Sequence, residues 1–147
     1  MNPLRISCDK SALDIAFIHR FLATQSSWAK NIPLDTVQRS ITNSLCFGGY
    51  LGDQQVAFAR VISDYATFAN LVDVFVIPEH RGRGFSKRLM EAVTSHPDLQ
   101  GLRRFTLATA DAHGLYAQFG FTPLHKPLSF MERHAPAIYT SADGESK

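Results

Sequence analysis

The chain has 147 residues, a formal net charge of +2, and 45% hydrophobic against 19% charged residues. That length fits one domain with a core of its own, and the composition is that of an ordinary globular protein. So small a basic surplus argues against a nucleic-acid partner, and no stretch approaches the about 18 apolar residues of a membrane span.

The first five residues, Met1 to Arg5, show no signal-peptide pattern. Cys8 and Cys46 stand in apolar surroundings without a metal or redox spacing. They read as small buried hydrophobes of a reducing cytoplasm, the expected location. The six histidines (19, 80, 96, 113, 125 and 134) are scattered, so no metal site is expected. One domain is expected over residues 1–139, and residues 140–147, small and polar, read as a flexible tail.

In chain order, Leu4 to Cys8 reads as a short strand. Ser11 to Asp14 then looks like a capping box. Behind it Leu13, Phe17, Ile18, Phe21 and Leu22 form an apolar stripe at helical spacing. Trp28 to Pro33 is a break. Leu34, Val37, Ile41 and Leu45 then line one side of a second helix. The period changes next. Leu45–Leu51 and Gln55–Ser63 are rich in aromatic and branched residues, and Gly52-Asp53-Gln54 between them makes a hairpin. A turn at Asp64 to Thr67 leads to a near-continuous apolar run, Asn70 to Ile77, which predicts a central strand covered on both faces. Pro78 ends it.

A helix follows to about Ser95, with Phe85, Leu89, Ala92 and Val93 inward. Arg104–Thr109 reads as a strand. Asp111–Phe119 reads as a short helix capped by Asp111 and stopped by Gly120. Phe121–Leu124 and Leu128–Arg133 read as closing strands. The order predicts a mixed α/β single domain, a sheet flanked by helices.

The informative segment is Val76-Ile77-Pro78-Glu79-His80-Arg81-Gly82-Arg83-Gly84-Phe85-Ser86. A buried strand runs into a glycine-rich turn that opens a helix. Glycine tolerates positive φ and lets a ligand approach the backbone. The helix start offers unpaired N–H groups and partial positive charge, which together favour phosphate. Arg81, Arg83, Lys87 and Arg88 crowd the same end. The bland alternative is a tight turn with a solvated basic face. Two other phosphate motifs fit poorly: the dinucleotide fingerprint fails at Lys87, and the P-loop pattern is absent.

Arg81-x-x-Gly84-x-Ser86, after Val-x-Pro and before an amphipathic helix, resembles the pyrophosphate loop of the GNAT superfamily of acyl-CoA N-acyltransferases. That loop is usually R/Q-x-x-G-x-G/A, and Ser86 departs from it at the last position. A second block, Asp111 to Phe121, resembles the family's later segment, with Tyr116 four residues before Gly120-Phe121. Trp28-Ala29-Lys30-Asn31, Phe58-Ala59-Arg60-Val61 and Phe130-Met131-Glu132-Arg133 resemble short single-domain bacterial members.

The resemblance implies two central parallel strands that splay apart, here Asn70–Ile77 and Arg104–Thr109, with acetyl-CoA between them. It implies that the pantetheine arm pairs with backbone around Val74, Phe75 and Val76. The pyrophosphate would sit on the N–H groups of Arg81, Gly82, Arg83, Gly84, Phe85 and Ser86. An amine, of a small molecule or a protein, would attack the thioester directly. Tyr116 is then the candidate acid for the leaving thiolate. By spacing alone it reads as a core tyrosine sharing a face with Ala112 and Phe119.

The base is open. Asn70 stands where some members carry a glutamate, and an amide cannot serve. Asp73 is the one acid inside the strand and fits two roles, base or hydrogen-bonded structural acid. Trp28, Tyr65 and Phe68, aromatics near turns, are candidates for the acceptor wall. By analogy with relatives, Leu128-Ser129-Phe130-Met131 would suit a homodimer contact. A module that binds CoA without turnover is the alternative function.

Overall fold

The computed structural model describes residues 3–139. The tail expected over 140–147 lies outside the described residues. Five strands form one sheet in sequence order: β1 (Arg5–Ser7), β2 (Leu45–Leu51), β3 (Gln54–Ser63), β4 (Phe68–Val76) and β5 (Arg104–Leu107). β1 to β4 pair antiparallel, and β4 with β5 is the parallel pair. Helices α1 (Ile15–Thr24) and α2 (Leu34–Thr42) connect β1 to β2. Helix α3 (Phe85–Ser95) makes the crossover from β4 to β5, and the short α4 (His113–Ala117) follows β5.

The local chemistry explains most boundaries. α1 begins one turn later than the Ser11 capping box implied. Asp14 is the N-cap, its carboxylate accepting from the Phe17 N–H, while Lys10–Ala12 forms a 3₁₀ turn. Gly52 has φ of +59° at the first of two turn positions, the conformation a tight β2–β3 hairpin needs. Leu34 is exposed, so α2 packs through Val37 and Ile41 alone. α4 is not capped by Asp111. Ala112 is its N-cap, and Thr109 Oγ1 accepts from the Ala112 N–H at 3.0 Å.

The core lies between the sheet and the helices. Phe75 of β4 stacks on Phe21 of α1 with centroids 3.9 Å apart, and Phe17 and Phe58 flank it. On α3, Phe85, Leu89, Met90 and Val93 are buried.

The closing strands expected at Phe121–Leu124 and Leu128–Arg133 are not present. Pro127–Ser129 is a 3₁₀ turn, and the residues around it are irregular. Pro123 and Pro127 lack N–H donors, which weakens any ladder there.

Two departures from regular sheet shape the centre. β4 pairs with β5 over only four positions, Phe68↔Arg104 to Leu71↔Leu107, so the second half of β4 has no neighbour on that side. β4 also bulges. Phe75 faces Phe58 and Val72 faces Arg60, so Asp73 and Val74 together oppose Ala59. Asp73 carries the extra residue's strain with φ of +55°, a left-handed conformation that Asp tolerates better than most.

Candidate active site

Three parts of the structure carry the candidate residues. The first is the loop after β4. Pro78–His80 forms a 3₁₀ turn, and Gly82 and Gly84 both take left-handed φ, +77° and +79°. Gly84 is the N-cap of α3, and no side chain caps the helix start. A small concavity here is lined by Gly82, Gly84, Ser86, Lys87 and Leu115 among others. Its backbone donors and cations fit an anionic group.

The arginines divide in role. Arg81 turns back, its Nε donating to the Val76 carbonyl at 2.8 Å, and so braces the loop against β4. Arg83 Nη1 donates to His80 Nδ1 at 2.9 Å and lies 4.9 Å over the Phe85 ring. Phe85 and Phe75 are both buried.

The second part is the bulge. Arg60 Nε donates to Asp73 Oδ2 at 2.9 Å, with both side chains largely buried. Trp28 Nε1 donates to Asp73 Oδ1 at 2.8 Å. Arg60 Nη1 reaches Ser44 Oγ at 2.9 Å, and Ser44 in turn donates to the Ser40 carbonyl. Both Asp73 oxygens are therefore engaged. These two bonds give Asp73 the surroundings of a structural acid, while each carboxylate oxygen keeps a second lone pair. Sequence reading passed over Arg60. The signal was there: a lone cation inside one apolar strand and a lone carboxylate inside the next. The Trp28 contact had no signal.

The third part is Tyr116 on α4. It is 8% exposed, and its ring meets Phe121 edge-on. Burial raises its pKa above the ordinary tyrosine value, and the Asp111 charge adds to the rise. The hydroxyl therefore keeps its proton at neutral pH, as a donor must. Tyr116 lines a groove of about 780 Å³ that runs along β5 from Arg103 to Thr109, with His113 at the same end. Leu115, its neighbour, lines the loop concavity.

The candidate acceptor aromatics do not converge. Trp28, half exposed, sits at the bulge. Phe68 begins β4 at the closed end, five residues away, or roughly 17 Å along a strand. Tyr65 belongs to the preceding turn with φ of +63°. That turn is built on Asp64, whose Oδ1 accepts the Ala66, Thr67 and Phe68 N–H groups. Asn70 is also at the closed end, its Oδ1 accepting from Thr106 Oγ1 at 2.8 Å across the parallel pair. Among the described residues, no group of three His, Cys, Asp or Glu could hold a metal ion, and no helix is long and apolar enough to cross a membrane.

The family model for the acetyltransferase (GNAT) domain matches residues 42–123, more than half of the chain, from the end of α2 through α4. The chain belongs to the GNAT family. A GNAT-family protein from Xanthomonas campestris pv. campestris, known by its crystal structure, is 66% identical with a TM-score of 0.91. The match covers 93% of this chain and 96% of that one. A provisionally named acetyltransferase of Gibberella zeae is 29% identical over 77% of this chain and 75% of its own length. A Clostridium acetobutylicum protein described as a predicted acetyltransferase, solved with acetyl-CoA, has the same fold. Its TM-score is 0.67 at 14% identity, with 89% of this chain and 94% of that one covered. GNAT acetyltransferases use acetyl-CoA as acetyl donor, and this GNAT chain is accordingly an acyltransferase.

Proposed function

We propose that this chain transfers the acetyl group of acetyl-CoA to a primary amine by direct attack of the amine on the thioester. The observation that carries the reading is one adjacency. The Gly82–Gly84 cradle at the start of α3 is lined in part by Leu115 of α4, and the next residue, the largely buried Tyr116, lines the groove along β5. Backbone N–H groups from Arg81 to Ser86 would hold the pyrophosphate. Lys87 and Arg88 would meet a further phosphate, and the backbone at Val74 to Val76 would pair with the pantetheine arm.

In the reaction the amine nitrogen forms a bond to the thioester carbon. The oxyanion that develops is stabilised by backbone donors on β4, and its collapse breaks the C–S bond. The Tyr116 hydroxyl gives its proton to the departing thiolate. The amine's own proton leaves by way of water, because the Asp73 carboxylate is engaged by Arg60 and Trp28. The acceptor approaches past Trp28, and it is a small-molecule amine or an amine of a peptide or protein.

A second reading is a module that binds acetyl-CoA without turnover. The engaged Asp73 favours it, since the strand then offers no free acid. Calorimetric titration with acetyl-CoA, with dephospho-CoA alongside, tests the common part. Tight binding that weakens without the 3′-phosphate supports both readings, and no binding to a folded sample rejects both. Thiol release with a panel of amines then separates them: turnover with any amine rejects the silent module.

A further inference from the structure

One face of the β3–β4–β5 sheet stays open next to the bulge. Cross-strand partners share a face. The register puts Arg60 beside Val72, Ile62 beside Asn70, Asn70 beside Thr106, and Phe68 beside Arg104. On this face Ile62 and Phe68 are 44% and 41% exposed, and Asn70, Val72 and Thr106 are half-buried. The alternate residues Val61, Ala69 and Leu71 point the other way and are buried. The open residues form a strip along β4. Trp28 and Asp73 stand at its head by the bulge, and Phe68 stands at its foot, roughly 17 Å away along the strand.

The polar groups of the strip are few, and their states differ. At the head the Asp73 carboxylate and the Arg60 guanidinium neutralise each other at 2.9 Å. In the middle Asn70 Oδ1 accepts from Thr106 Oγ1 at 2.8 Å, and the Asn70 Nδ2 donors have no partner among the described residues. At the foot the Arg104 guanidinium lies 5.2 Å from the Phe130 ring, and no carboxylate pairs with it among the described residues. Asp64, the acid of the adjoining turn, is taken up within that turn by the Ala66, Thr67 and Phe68 N–H groups and the Thr67 hydroxyl. The strip therefore offers an apolar floor, an amide donor in its middle and positive charge at its foot.

We propose that this strip binds the amino-terminal segment of a peptide or protein acceptor, laid extended with its amine at the bulge. The placement of the amine rests on the acetyl-transfer reading above, which puts the thioester beside Val74 to Val76. Length, charge and hydrogen bonding select this class of acceptor. An extended chain advances about 3.3–3.6 Å per residue, so about five residues span the strip, whereas a free amino acid would cover only its head. A polyamine could span it, but its cations would find no unpaired carboxylate there and would meet Arg104. Peptide carbonyls need donors where water is displaced, and Asn70 Nδ2 supplies them. Apolar side chains of the peptide would rest on Val72, Ile62 and Phe68. An acidic side chain near the fifth position would meet Arg104. Asn70 and Arg104 are then the residues that set acceptor specificity.

Trp28 is the single tryptophan of the chain and stands at the head of the strip, so its emission reads binding without turnover. The full chain, with CoA in the buffer, would be titrated with the peptide amide Ser-Leu-Ala-Leu-Glu, its Ser-Leu-Ala-Leu-Lys counterpart, spermidine and leucine. The glutamate peptide should shift the emission and bind about fivefold tighter than the lysine peptide, the scale of an exposed ion pair. Spermidine and leucine should bind about tenfold more weakly still. Arg104→Glu should reverse the order of the two peptides. Asn70→Leu should weaken both by about tenfold, the scale of a carbonyl left without its donor. No shift with either peptide, spermidine or leucine binding as tightly as the peptides, or a peptide order that Arg104→Glu leaves unchanged would each overturn the proposal. Arg104 is exposed, so its variant should fold; if it does not, the ranking of the four ligands by the parent decides alone. Titration with acetyl-CoA separates the two failures. Acetyl-CoA binding without peptide binding rejects this inference alone, and absence of both rejects the acetyl-transfer reading with it.

Discussion

At the scale of single residues, environment separates the two tyrosines that are buried in different ways. Tyr116 lines the groove along β5, and burial raises its pKa and keeps it protonated. Tyr116→Phe is expected to bind acetyl-CoA like the parent and to lower kcat by about a hundredfold, the lower range for a lost general acid. The sign of the pH effect follows from the raised pKa. The acid form persists beyond the ordinary tyrosine value near 10, so the alkaline fall in kcat should lie above it and vanish in the phenylalanine variant. Unchanged turnover would leave Tyr116 a core residue. Tyr50 is the contrasting case. Its hydroxyl is buried with no hydrogen-bond partner, and burial raises its pKa too. A buried unpaired hydroxyl costs about 1 kcal/mol or more. Tyr50→Phe should therefore match or exceed the parent's stability in urea unfolding.

Elements set what these residues can reach. The proposed phosphate cradle is a product of two glycines in left-handed conformation followed by the eleven-residue α3. At Gly84, φ of +79° costs an L residue about 1–2 kcal/mol, and a β-branched one more. Gly84→Val should therefore lose about that much stability and weaken acetyl-CoA by about tenfold or more, read by calorimetry. Affinity equal to the parent's would put the phosphates elsewhere. This loop was legible in the sequence because its signals are local: a proline that ends a strand, glycines at a fixed offset and an apolar stripe after them. The last stretch was misread for a related reason. Phe121–Leu124 and Leu128–Arg133 have strand composition, but a strand also needs a neighbour to pair with, and composition does not supply one.

Across the whole molecule, the Arg60–Asp73 pair joins parts far apart in sequence. It ties β3 to the bulge of β4, to Ser44 at the start of β2, and to the loop that carries Trp28. Trp28 is the single tryptophan of the chain, so its emission reports on this junction. Asp73→Ala leaves Arg60 and the indole N–H without their partner. The loss should be near 3 kcal/mol, the low end for breaking a buried pair since neither side chain is fully enclosed. A shift in tryptophan emission should accompany it. An Asp73→Asn variant that stays folded, keeps its tryptophan emission and loses all turnover would return Asp73 to the role of base.

By itself the sequence determined the family, the mixed sheet with its helices, the glycine-rich turn that opens α3 and the candidacy of Tyr116. Each is written in short-range order, where periodicity, breakers and spacing carry the physics. Only the tertiary structure decided that Asp73 is paired rather than free, that Trp28 lies at the bulge while Tyr65 and Phe68 lie at the far end of β4, and that β5 pairs with β4 alone among the described residues. Those outcomes depend on which side chains from distant segments meet and on which strand finds a partner. Both are properties of packing in three dimensions.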